Sequence, residues 1–204
     1  MKNKLIILCC IVFPGLVLGQ ESFERLGQRS MMNGDFGDAA SYFEKAYAGD
    51  NANTNALYLM GYSAYHASNY RKSIKAFDKL IGLKPAEAIA YYYRGKAKMN
   101  LCAQIHENLS EKVLLMQGAI KDFSSGIDLS PSDLKFYQNR GLAYQEYSIY
   151  KNQKVHGVYD KNEAISSAHA SITDFKKVLT ENSGRRDIHQ QIEKSKQLLL
   201  NMSK

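Results

Sequence analysis

The side chains best suited to chemistry are few and poorly arranged for it. Outside the N-terminal stretch there is one cysteine, Cys102, and five histidines: His66, His106, His156, His169 and His189. No two histidines stand at a metal-ligand spacing, and HENLS (106–110) lacks the second histidine that a zinc-binding helix would need. The sequence contains neither a glycine-rich phosphate loop nor a G-x-S-x-G elbow. Cys102 is expected to be a small buried apolar residue rather than a nucleophile. These residues predict no enzyme, no catalytic site, no metal and no cofactor.

A second kind of chemistry is suggested by YYYRGKAK (91–98), which mixes aromatic and basic side chains. Such mixtures grip nucleic acid by stacking on bases and pairing with phosphates. The sequence pI of about 9.2 and the fourteen tyrosines keep nucleic-acid binding as the alternative reading. On a helix, however, successive residues turn by about 100°, so Tyr91, Tyr92 and Tyr93 point three ways. The elements that carry these residues therefore have to be placed first.

Residues 1–19 are expected to be an export signal. Lys2 and Lys4 precede an apolar run from Leu5 to Leu18, broken at Pro14-Gly15 and followed by Gly19. A retained membrane anchor and lipidation at Cys9 or Cys10 are the alternatives. The chain is then expected to be periplasmic or secreted, with a bacterial cell envelope as its setting. With this segment removed, Cys102 has no partner for a disulfide. Charge is uneven: residues 20–53 carry net −3 and residues 54–204 net +8, which suits acidic partners or end-to-end contacts.

Self-similarity organises the rest. Glycines fall at Gly27, Gly61, Gly95 and Gly141, in FERLG, LYLMG, YYYRG and YQNRG. Phenylalanines fall at Phe43, Phe77, Phe123 and Phe175, in DAASYFEKA, KSIKAFDKL, GAIKDFSSGI and ASITDFKKVL. Ala39, Ser73, Ala119 and Ser171 stand four residues before them, and Pro85 and Pro131 close two of the units. This pattern resembles the tetratricopeptide repeat, a helix–turn–helix unit of about 34 residues with W-x2-L-G-x2-Y, A-x3-F and a final proline. The resemblance implies an all-α, right-handed helical-hairpin solenoid. Its four repeats are 20–53, 54–87, 88–133 and 134–184, and residues 185–204 form a C-terminal capping helix. It also implies a non-catalytic protein–protein interaction module, an adaptor or assembly subunit whose partner is a protein or peptide.

The spacing locates the departures from that pattern. Each phenylalanine precedes the next glycine by 18 residues, whereas glycine to phenylalanine within a unit runs 16, 16, 28 and 34. The extra 12 and 18 residues therefore lie inside the last two hairpins, and an even split predicts six more residues on each helix of the third. His106-Glu107-Asn108 reads as the third turn with Ser110 as N-cap, and Ile105 as the end of the preceding helix. Lys151 to Lys161 reads as the fourth turn, with Tyr144 and Tyr147 facing the small residues from Ala164 to Ala170. The lengthened tips are expected to offer a second contact surface.

Two sets of functional positions follow. Units one and two have Leu26 and Met60 before the glycine, with Tyr42 and Ala76 before the phenylalanine. Units three and four have Arg94 and Arg140 with Asp122 and Asp174, so two salt bridges within hairpins are expected, Arg94–Asp122 and Arg140–Asp174. The resemblance makes the first-helix stripe a concave groove. Repeat offsets from Tyr58, Tyr62 and Tyr65 place Tyr92, Lys96, Met99, Gln138, Leu142 and Gln145 there, after Glu24, Gln28 and Met31. Such a surface suits an extended peptide or a partner helix, because rings supply rigid apolar area with polar tips. The basic-and-amide clamp by which some family members hold a C-terminal carboxylate is unmatched, since Glu24, Leu59, Ile89 and Tyr93 occupy its positions.

Overall fold

In a computed structural model that describes residues 22–203, the chain is a succession of helices with no strand among the described residues. In chain order these are α1 (Phe23–Asn33), α2 (Phe36–Gly49), α3 (Thr54–His66), α4 (Tyr70–Leu83), α5 (Ala88–Gln104), α6 (Leu109–Leu129), α7 (Leu134–Lys151), α8 (Lys161–Leu179) and α9 (Arg186–Met202). The expected export signal lies outside the described residues. No helix among them is long and apolar enough to cross a membrane.

Local chemistry sets the boundaries. Ser22, Asn53, Asn69, Asn108, Asp133 and Asp160 each accept a bond from a backbone N–H of the helix they precede. That satisfies one of the donors every helix start leaves open. The cap of α6 is thus Asn108, whose Oδ1 accepts from Glu111 N at 3.0 Å, rather than Ser110. Ile105 likewise does not extend α5. It is extended backbone just past the helix end, at φ −85° and ψ 128°. α4 and α6 stop just before Lys84 and Ser130, where the following proline disfavours helical backbone.

The repeat exists because one contact is made four times. Phe43, Phe77, Phe123 and Phe175 are all at most 1% exposed. Each lies on the glycine of its own hairpin so closely that a Cβ added at Gly27, Gly61, Gly95 or Gly141 would come within 2.8–2.9 Å of its ring. Glycine is required there to let the two helices close on the phenylalanine. Between the third and fourth hairpins Gly126 does the same for Phe136, whose ring leaves still less room for a Cβ.

The extra residues are not split evenly. In the third hairpin four extend α5, seven extend α6 and one enters the loop; in the fourth, five extend α7, seven extend α8 and six enter the loop. The long fourth loop is folded back: Val158 is 3% exposed and packs with Cys102, Met116, Tyr147 and Tyr150 in a small core at the tips. Tyr147 lies between α6 and α8, donating to Glu163 of α8 at 2.7 Å and accepting from Gln117 of α6 at 2.8 Å. The small residues of α8 serve another neighbour. Ala164 and Ala168 receive Met202, Leu198 and Leu199 of α9. The end helix thus covers an apolar face that would otherwise be wet.

Candidate functional site

Consecutive helices pack in sequence, and the first helices of neighbouring hairpins also meet: α3 with α5, α5 with α7, and α7 with α9. No contact of similar extent joins the second helices to one another. The first helices are therefore the closely spaced side of the array, the inside of its curve.

On that side rings form an unbroken series. Phe36 stacks on His66 at 5.0 Å, His66 lies 4.3 Å from Tyr62, and Tyr62 meets Tyr93 edge-on at 5.2 Å. Tyr93 continues to Tyr92 at 5.3 Å, and Tyr92 to Phe136 at 5.7 Å. Tyr58 and Tyr65 flank the series, 6.4 and 5.6 Å from Tyr93. Edge-to-face geometry dominates, as the ring quadrupole favours. Tyr93 is the hub: it touches four tyrosines and stacks on Phe77 at 5.8 Å with planes 12° apart. Burial, together with the neighbouring phenols, pushes its hydroxyl pKa up to about 12. Burial raises that of Tyr58 as well.

Lys96 completes this surface, with Nζ over the rings of Tyr65 and Tyr92 at 5.1 and 5.4 Å. His66 titrates below the usual histidine range because it is partly buried and then because Lys96 is near. Beside Lys96 a pocket of about 160 Å³ is lined by Met99, Asn100, Asn139 and Leu142. Tyr58, Tyr62, Tyr65, Tyr92, Lys96 and Met99 are thus brought together.

Gln145 is not part of that exposed face, and Gln138 lies half-buried on α7. Gln145 is fully buried, donating from Nε2 to Gln191 O at 3.0 Å and Ser195 Oγ at 2.7 Å. Gln138 accepts from Arg185 Nη2 at 3.2 Å. The position four residues after each glycine faces the next first helix, and for the last hairpin that neighbour is α9. Tyr65 shows the ordinary case, accepting from Asn100 of α5 at 3.0 Å. Tyr93 was the residue the repeat offsets missed. Its counterpart in the previous unit is Leu59, and its stacking partner Phe77 lies across the joint between units.

The basic side chains beside this face are compensated. Arg94 reaches Asp122 with Nε at 3.0 Å and Nη2 at 2.5 Å, and Asp78 with Nη1 at 2.7 Å. Lys98 adds a third cation contact to the same Asp122 at 2.7 Å. Arg140 grips Asp174 with Nε and Nη2, both at 2.8 Å, and its Nη1 donates to Ser124 at 3.0 Å. Asp122 and Asp174 are 1% and 3% exposed, so these fork-like pairs lock the hairpins internally. Among the described residues no cluster of three or more His, Cys, Asp or Glu could hold a metal ion. Cys102 is buried, its Sγ 3.8 Å from Lys112 O, and burial raises its thiol pKa.

A closed run of helical hairpins, each locked by a phenylalanine on a glycine, defines a helical-repeat solenoid protein. The tetratricopeptide repeat model matches residues 24–88 and 58–98. Residues 24–98 thus match tetratricopeptide repeats, and the same hairpin architecture recurs in the third and fourth units, which gives the chain a tetratricopeptide-type solenoid fold. Solved structures of that fold are similar along most of its length. The thermophilic repeat protein TTC0263 of Thermus thermophilus is 14% identical, with a TM-score of 0.52 over 85% of this chain and 96% of its own. MamA from residue 41 onward, of Desulfovibrio magneticus RS-1, is 16% identical, with a TM-score of 0.54 over 88% and 94%. The C-terminal part of a repeat protein of Cytophaga hutchinsonii is 19% identical, with a TM-score of 0.56 over 83% and 58%. No curated protein matches the sequence.

Proposed function

We propose that this protein is a non-catalytic adaptor or assembly subunit of a cell envelope, and that it holds a peptide or helix of its partner on the ring-lined inner face of α3 and α5. The observation that carries the reading is the ring series that runs from Phe36 at the start of α2 through His66 and Tyr62 of α3 to Tyr93 and Tyr92 of α5, with Lys96 laid across it. Half-buried rings held by one another offer apolar area that costs little conformational entropy to use. The envelope setting is supported only by the composition of residues 1–19.

Nucleic-acid binding is disfavoured by the same geometry. The tyrosines meet edge-to-face instead of offering parallel faces to bases, and Arg94, Lys98 and Arg140 are spent on buried aspartates. Affinity capture from the envelope fraction tests the proposal by comparing the wild type with a Tyr62→Ala/Tyr92→Ala double variant. Partner recovery is expected to collapse in the variant; equal recovery would refute the groove.

A further inference from the structure

What the groove takes, granted the reading above, is indicated by the electrostatics around Lys96. Its ammonium lies between two ring faces, and no carboxylate pairs with it among the described residues. Arg94, Lys98, Arg140 and Lys151 differ, since each is matched to an acid. Lys135, over the Tyr92 ring at 5.6 Å, has only the loose Asp133 contact at 3.4 Å. Among the described residues the hydroxyls of Tyr62, Tyr92 and Tyr93 have no hydrogen-bond partner. Tyr65 Oη accepts from Asn100, leaving its proton to donate. The centre of the face is therefore a set of donors around one unmatched positive charge. A cationic ligand is repelled by Lys96.

We infer that the occupant is an extended acidic segment. It sets an internal Asp or Glu carboxylate on Lys96 and an adjoining apolar side chain, such as Leu or Pro, against Tyr62 and Tyr93. The carboxylate is internal because the face continues on both sides of Lys96: Tyr62, His66 and Phe36 in one direction, Tyr92 with Lys135 over its ring in the other. A bound strand runs past the lysine instead of ending at it. Taking the carboxylate out of water against an ammonium with phenol donors nearby gives charge-assisted hydrogen bonds, the strong kind.

The test uses the full chain and short N-acetylated, C-amidated peptides in which Leu or Pro alternates with Glu, Gln or Lys, read by fluorescence anisotropy. Two further probes are the Gln peptides with a free C-terminal carboxylate and a short oligothymidylate. The Glu set is expected to bind about tenfold tighter than the Gln set. Lys96→Met should erase that preference and Lys96→Arg retain it, with circular dichroism confirming that both variants fold. Equal binding of the Glu and Gln sets, both weakened by Tyr62→Ala/Tyr92→Ala, would overturn the acidic-segment inference while leaving the groove standing. Preference for the free carboxylate or for the oligothymidylate would overturn it too. Indifference of every peptide to the tyrosine variant would remove the groove itself.

Discussion

Tyr93 of the third hairpin stacks on Phe77 of the second, centroids 5.8 Å apart and planes 12° from parallel. The same ring thus closes the joint between two units and anchors the exposed tyrosines. Structure and candidate site share a residue here, and its hydroxyl reports on the packing.

Because burial raises the Tyr93 pKa to about 12 from its ordinary value of 10.0, the unfolded chain loses that proton first. Its contribution to stability is fully present below pH 10 and is lost as pH rises through about 12. Tyr93→Phe keeps the stack and removes the hydroxyl. Urea melts from about pH 9 to 11.5 are expected to show a shallower alkaline decline for this variant than for the wild type. Near-neutral stability should differ by no more than about 1 kcal/mol. Parallel declines would contradict the assignment.

The two arginine–aspartate locks differ in what remains when the arginine is removed. Arg94→Met leaves Asp122 with Lys98, whereas Arg140→Met leaves the buried Asp174 with no cation that the structure places on it. Stranding a buried charge costs about 3–5 kcal/mol. Denaturant unfolding should therefore show the larger loss for Arg140→Met. A larger loss for Arg94→Met would mean that Lys98 does not compensate.

Glycine substitutions should separate by what they meet. At Gly126 an added Cβ would run into the Phe136 ring, and at Gly82 it meets nothing within 4 Å. Gly126→Ala is expected to cost about 1–3 kcal/mol through overpacking. Gly82→Ala, in α4, should be neutral or stabilising by up to about 1 kcal/mol. Thermal melts of the two variants check the contrast.

Gln145 should behave as an anchor for α9. Gln145→Ala deletes the donor to Gln191 and Ser195 and is expected to cost about 1–3 kcal/mol. Hydrogen exchange should rise first in α9, while capture of the partner stays unchanged for the folded protein. Lost capture with normal exchange in α9 would return Gln145 to the groove.

The hairpins were legible because a glycine under a phenylalanine recurs at fixed distance from the next unit, so one physical contact writes itself four times. The salt bridges could be proposed because arginine and aspartate change together between the first and last pairs of units. Boundaries inside the lengthened hairpins were less legible. Asn108 and Ser110 are both good caps two residues apart, and only packing of the tip decides between them. Gln145 was misplaced because offsets carried from Tyr65 assume another hairpin beyond, where α9 sits with its own register. Tyr93 escaped because its decisive neighbour, Phe77, belongs to the preceding unit. A comparison made strictly within units cannot show a contact between them.

The most direct test of the central claim is site-specific photocrosslinking in cells of the source organism. A benzophenone amino acid replaces Tyr62 or Tyr92 on the inner face, or Lys75 or Lys121 on the exposed surface of the second helices. Adducts to a protein partner are predicted at Tyr62 and Tyr92 and not at Lys75 and Lys121. Adducts confined to the two lysine positions would contradict the account.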